Sequence, residues 1–391
     1  MGERMERRAM EIPPVAVWLL KAGTVLAWCL SLAGFLAAMT VVEGAARDGG
    51  LPEVLVALCT VVLFGLLAVL IHESGHALAA HLKGMRLMRL RAGPLDILFR
   101  RRGFRWRFAK PAAGLHGFVQ AYPDPARELR PAMLCFALGG PAANLAAAAL
   151  AVLLAWGVDM EREGFVHAFA LINGVLGIAN LIPMFGGAAS DGMLLYLWGR
   201  HPPDAQSPSL AYLRLMSLSV FGTTADRLPP ALVDELDAQG NLAALVAIWI
   251  RVKAAQNRGV WESVEELERR LEQLLSGLSE RERRANKPLL VFLELELAFS
   301  RAMHERQPGL LGKSRLGKGV DWLAPHLRHR FAALEFALAG ERHGLEDSLR
   351  QARLHAEASP DHALAESENR IAQHIRALRP ALRMMGGQSA G

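Results

Sequence analysis

The strongest constraint on this chain is an apolar run that ends in two imidazoles and a carboxylate. From Leu51 to Leu70 the only charge is Glu53, at the edge of the run. About twenty such residues cross the hydrocarbon core as a helix. His72-Glu73-Ser74-Gly75-His76 follows directly. Polar groups at that depth cost free energy unless they have partners or a task, and a metal ion is the natural partner. Histidines at i and i+4 share one helical face, so both reach one zinc ion. Glu73 stands beside them, placed to take a proton from a water that zinc activates.

Two histidines do not complete a zinc site, because a catalytic zinc takes three protein ligands and keeps a place for water. A metzincin pattern is excluded, since Leu82 and Ala79 stand where it needs His and Gly. His81, five residues after His76, turns away from the shared face and reads as an interfacial polar residue. Asp191 is the better candidate. It follows the apolar segment Phe165 to Ile182, in a stretch broken by Pro183, Gly186, Gly187 and Gly192. Irregular backbone at membrane depth is tolerated only where protein or a water-filled cavity surrounds it, so this break is expected to line a polar pocket.

Three elements in this order resemble the site-2 protease family of intramembrane zinc metallopeptidases. They are His72-Glu73-x-x-His76, Gly139-Gly140-Pro141-Ala142-Ala143-Asn144, and Asn180-x-x-Pro183 followed by Asp191-Gly192. Together they span about residues 50–200. The resemblance implies that His72, His76 and Asp191 are zinc ligands, that Glu73 is the general base, and that Asn144 and Asn180 line the substrate site. The chain departs from the commonest family form in one respect: seven residues, not four, separate Pro183 from Asp191. Gly139, Gly140, Ala143 and Ala147 also form a small-residue face on which helices approach closely, so Asn144 has a packing reading beside the catalytic one.

The chain has 391 residues, 21% of them charged, yet its mean hydropathy is +0.20. That mixture predicts a membrane domain over 1–200 and a cytoplasmic helical domain over 201–391. Cys29, Cys59 and Cys135 all sit in apolar segments, so they read as buried thiols and not as a disulfide framework. Metal ligation falls to histidine and carboxylate. The run from Val15 to Val42 is too long for a signal-peptide core and reads as a membrane anchor. Spans are expected at about 15–42, 52–82, 131–156 and 165–185. Arg4, Arg7 and Arg8 precede the first, and ten Lys and Arg residues between Lys83 and Lys110 follow the second. The positive-inside rule then sets both termini in the cytoplasm, with the site near the cytoplasmic face of a bacterial inner (plasma) membrane.

Residues 85–120 alternate short apolar and basic runs, with turn signals at Gly93-Pro94 and Arg102-Gly103. They predict strands beside the lipid bilayer, whose anionic headgroups suit the charge; no nucleic-acid partner is expected. By the same resemblance such a segment forms a sheet that holds an extended substrate. His201-Pro202-Pro203-Asp204 reads as a linker. Amphipathic helices follow at Trp261–Leu271, 287–305, 328–340, 343–357 and 361–378, and Phe331–Pro360 resembles a tetratricopeptide-like pair. The fold class is therefore mainly α: a polytopic bundle of about four spans, a short membrane-associated β segment, and a soluble, repeat-like all-α domain offering a surface to a protein partner. The expected activity is zinc-dependent hydrolysis of peptide bonds in or near membrane segments, in a membrane-protein or signal-peptide-remnant substrate. Its rivals are an inactive membrane-anchored adaptor and a transporter. Retention of all three metal-site elements disfavours the first, and four spans without inverted repeats disfavour the second.

Overall fold

The computed structural model describes residues 14–47, 50–110, 117–157, 160–184, 189–200, 210–312 and 316–378. The expected linker at 201–204, the basic residues before Pro14 and part of the stretch between Pro183 and Asp191 lie outside them. The chain divides into two units, Met1–Leu98 with Phe104–Asp204 and Phe99–Gly103 with Ala205–Gly391.

The first unit is built on long helices: α1 (Pro14–Ala45), α2 (Leu51–Leu82), α3 (Leu129–Ala155) and α4 (Met160–Leu181), with the shorter α5 (Asp191–Arg200) after them. Four stretches are long and apolar enough to cross a bilayer: Lys21–Gly44, Leu51–Leu82, Leu129–Ala155 and Gly164–Leu181. The protein is thus an integral membrane protein. The last helix stops at Leu181, short of the expected 185, because Pro183 cannot donate to the helical ladder. Leu55, Val56, Leu63, Leu78, Leu150 and Leu153 point outward, as side chains facing lipid should. Cys29 and Cys59 are exposed on the same kind of face. The expectation of buried thiols is corrected there: an apolar segment in a membrane has a lipid side as well as a protein side.

Without a hydrophobic drive between helices in lipid, close approach needs small residues. The expected small-residue face on α3 is found against α2. A Cβ on Gly75 would lie 2.3 Å from the carbonyl oxygen of Gly139, and one on Gly139 would lie 2.6 Å from that of Gly75. The two backbones therefore touch between the two histidines in sequence. Gly34 of α1 makes room for the Val175 side chain of α4, which a Cβ there would meet at 2.6 Å.

The sheet forms where alternation predicts it, as β1 (Arg86–Ala92), β2 (Leu95–Phe99), β3 (Phe104–Phe108) and β4 (Gly117–Tyr122). Its order is β3-β2-β1-β4. β1 pairs antiparallel with both neighbours, Leu90 opposite Ile97 and Val119, Arg91 opposite Asp96 and Phe118. Both predicted turns are present, and Gly93 and Gly103 take φ of +54° and +81°, a region open to glycine at little steric cost. One face carries Asp96, fully buried and held by Arg89 through two bonds of 2.7 and 3.0 Å and by Arg107 at 3.1 Å. The apolar face lies along α2, with Gly93 against Leu66 and Gly117 against Glu73.

The second unit is helical, with α6 (Ala211–Val220), α7 (Pro230–Ala238), α8 (Asn241–Arg258), α9 (Val264–Gly277), α10 (Glu280–Ala285), α11 (Lys287–Glu305), α12 (Lys318–Leu323), α13 (His326–Ala339), α14 (Arg342–Glu357) and α15 (His362–Arg376). Apolar faces such as Leu295, Phe299, Phe331, Leu334 and Ile371 form its core. Within it lies a buried ionic cluster. Arg330 donates to Glu296 at 2.5 Å and to Glu368 at 2.9 Å, and Lys253 reaches Glu296 at 3.1 Å. Burial opposes the charge on Glu296, but the Arg330 and Lys253 cations prevail and hold its carboxyl well below the usual range. Burial pushes His326 beside them down to about 4, so it is neutral. Removing one member of such a cluster strands a buried charge, at ~3–5 kcal/mol. Arg330→Leu is expected to lower the stability of this unit by about that amount, read by chemical denaturation of the full chain under circular dichroism. Wild-type stability in that variant would show that the cluster is not coupled as described.

Candidate metal centre

His72 and His76 lie one turn apart on α2, and both are buried. Asp191 opens α5. The three bring their ligand atoms together: Nε2 of His72 lies 3.0 Å from Oδ2 of Asp191, Nε2 of His76 lies 3.3 Å from Oδ1, and the two Nε2 atoms are 3.2 Å apart. Among the described residues this is the one group of three His, Cys, Asp or Glu side chains disposed to hold an ion.

The far side of each ring fixes its tautomer. Nδ1 of His76 lies 2.7 Å from the carbonyl oxygen of Phe136. A carbonyl only accepts, so this nitrogen carries the proton. Nδ1 of His72 lies 2.6 Å from Oδ1 of Asn144. The Asn144 amide nitrogen donates to the carbonyl of Ala68 at 2.9 Å, which orients the amide and makes its oxygen the acceptor from His72. With Nδ1 the donor in each ring, both Nε2 atoms turn toward each other and toward the Asp191 carboxylate, and each offers a lone pair when its ring is neutral. One proton relieves one of those three contacts. A divalent cation relieves all of them.

The spacing suits zinc. Bonds of about 2.0–2.1 Å at tetrahedral angles put ligand atoms about 3.3 Å apart; the two Nε2 atoms are 3.2 Å apart, and one Asp191 oxygen lies 3.0 Å from His72 and the other 3.3 Å from His76. The donor set of two imidazoles and a carboxylate leaves a fourth position open, as a catalytic zinc requires.

The long connection before Asp191 is closed by Ser190. Its hydroxyl donates to the carbonyl of Ile182 at 2.8 Å and accepts from the backbone N–H groups of Met184 at 3.0 Å and Met193 at 3.2 Å. A Cβ on Gly192 would sit 2.0 Å from the carbonyl oxygen of Leu181, so only glycine lets α5 start so close to the end of α4. Asp191 reaches both histidines despite the longer spacing from Pro183.

Glu73 is 6% exposed. Its carboxylate makes no hydrogen bond among the described residues, and Gly117 leaves it room: a Cβ there would lie 2.3 Å from Oε1. Asn144 is wholly buried. Its oxygen accepts from His72 and its nitrogen donates to Ala68 and, at 2.9 Å, to Oδ1 of Asn173. These contacts hold His72 and tie α3 to its neighbours. Asn180 is half-buried and donates back to the carbonyl of Leu176 in its own helix at 3.0 Å; no hydrogen bond joins it to the three ligands among the described residues. His81 is exposed on the last turn of α2. Sequence reasoning missed Asn173 and Ser190. An Asn in the middle of an apolar span was the available signal for the first.

Residues 59–163 match the family model described as Peptidase family M50. This stretch is thus similar to peptidase family M50. The match supports the site-2 protease membership read from the motifs. M50 peptidases are zinc metalloproteases generally. The matched residues include His72, Glu73, His76 and Asn144 but end before Asp191, so the third member of the cluster is joined to the matched region by geometry alone. Comparison with curated proteins and with solved structures gives no match.

Gly140 provides a direct check on the centre. A Cβ there would lie 2.4 Å from Nε2 of His76 and 2.6 Å from Nε2 of His72. Gly140→Ala is expected to weaken zinc binding by at least about tenfold, read by chelator competition. Gly65→Ala on α2, where nothing lies within 4 Å, should bind as the parent does. Equal affinity in both variants would contradict the placement of the ligands.

Proposed function

We propose that the M50 unit is an intramembrane zinc metalloendopeptidase. It hydrolyses peptide bonds in or next to the membrane segments of other proteins, including signal-peptide remnants. The observation that carries this reading is the convergence of two imidazole Nε2 atoms and a carboxylate, with separations of 3.0 to 3.3 Å.

His72, His76 and Asp191 would hold the ion. When bound, zinc polarises a scissile carbonyl and lowers the pKa of water. Glu73 is the general base: it takes the proton from the attacking water and returns it to the leaving amine. Burial beside the cluster, with no hydrogen bond from the described residues, suits a carboxylate to that exchange. A helical substrate hides its carbonyls in its own ladder and has to unwind. β4 is an edge strand of the sheet, and it begins against Glu73. A substrate strand added along that edge exchanges helical hydrogen bonds for sheet ones beside the base. The excess of Lys and Arg between Lys83 and Lys110 supports a cytoplasmic position for this end of α2 and for both termini, and so for entry of water from that side. The helical unit serves on this reading as a cytoplasmic platform for a protein partner.

Membranes incubated with the purified chain and analysed by amino-terminal labelling and mass spectrometry provide the test. New termini in or beside membrane segments are expected with the parent and absent with Glu73→Gln, which should keep about one zinc per chain. His72→Ala and Asp191→Ala should lose both zinc and cleavage. Cleavage by Glu73→Gln at the parental rate would overturn the general-base assignment. Absence of new termini with a zinc-loaded parent would overturn the protease reading.

A further inference from the structure

Asn173 lies in the middle of α4, wholly buried in an apolar span, outside all three motifs and outside the matched residues 59–163. Its amide nitrogen donates to the carbonyl of Phe169, one turn back, at 3.0 Å. That carbonyl only accepts, so the Asn173 oxygen faces the other way and accepts from Asn144 at 2.9 Å. Asn144 in turn directs its oxygen to Nδ1–H of His72 at 2.6 Å. Each bond fixes the sense of the next, and the relay ends in the lone pair on Nε2 of His72.

We infer that Asn173 is a positioning residue of the metal centre, acting through Asn144 to hold His72 in the tautomer and orientation that ligate. The inference rests on the metal reading of the site. A second reading of the same contact is helix adhesion, in which an interhelical amide bond only ties α3 to α4. The two differ in what they couple. Adhesion acts on stability whatever residue 144 is. Positioning acts on the metal and only while Asn144 is there to transmit it. Loss of the Asn173 oxygen leaves one amide hydrogen of Asn144 without an acceptor in an apolar span. The Asn144 amide is then less firmly held, and the His72 tautomer with it.

The test is a double-mutant cycle on the detergent-purified full chain, with cobalt(II) as the probe. Affinity is read by titration and ligand geometry by the visible absorption bands of the bound ion. Asn173→Leu is expected to weaken cobalt binding roughly tenfold and to change the bands, as losses of outer-sphere partners do. In an Asn144→Ala background the same substitution should change affinity less than about twofold, because nothing remains to transmit it. Folding is followed by elution profile and melting. If the leucine variant does not fold, Asn173→Ala, which adds no bulk, makes the same comparison. Parental affinity and bands in Asn173→Leu, or an equal loss in both backgrounds, would overturn the inference. A parent chain that binds no cobalt and no zinc would instead overturn the metal reading, and this inference with it.

Discussion

Two imidazole Nε2 atoms and a carboxylate converge in a largely apolar part of the molecule, and the packing of the membrane unit brings them together. The Nδ1–H groups of His72 and His76 donate to acceptors outside the cluster, Asn144 and the Phe136 carbonyl. With both rings neutral, the Nε2 lone pairs and the Asp191 carboxylate set negative potential at about 3 Å, in surroundings that screen it poorly. Left uncompensated, the arrangement would push the side chains apart or force a proton onto one of them. A cation held by all three removes the repulsion at once. Hydrogen-bond polarity around the rings thereby supports the proposed metal reading alongside the motif.

The same centre explains the glycines. His72 and His76 of α2 and Asp191 of α5 meet over the backbone of α3, and the available space is smaller than one methyl group at several points. Gly75 and Gly139 let α2 and α3 touch, Gly140 keeps α3 clear of both Nε2 atoms, Gly117 keeps β4 clear of Glu73, and Gly192 lets α5 begin against α4. Helix packing and ligand convergence are thus one constraint. A side chain that would merely loosen an interface elsewhere would here displace a ligand.

Much of this was legible in the sequence. The i, i+4 spacing put His72 and His76 on one face because helical period alone decides that. Asp191 stood out because a carboxylate in broken backbone at membrane depth needs a reason. The strands over 85–120 and their turns followed from alternation and from Gly93 and Gly103. The task of Asn144 was not legible, because it depends on which end of an amide meets which neighbour, and those neighbours, Ala68 on α2 and Asn173 on α4, come from distant parts of the chain. Ser190 escaped notice for the same reason: its hydroxyl closes the connection through three backbone groups whose proximity only the folded chain reveals. Cys29 and Cys59 misled because apolar surroundings in a sequence do not distinguish a protein interior from lipid. In the helical unit the amphipathic periods located the helices, whereas the ionic cluster of Lys253, Glu296, Arg330 and Glu368 joins residues more than a hundred positions apart that each look like ordinary surface charge.

Zinc-edge X-ray absorption on the detergent-purified chain tests the central claim most directly, since it reads the ligands of the ion without reference to activity. The account predicts a first shell at about 2.0–2.1 Å of nitrogen and oxygen only, with the outer-shell scattering of two imidazole rings. A shell with no imidazole signature, or a chain that takes up no zinc, would contradict it.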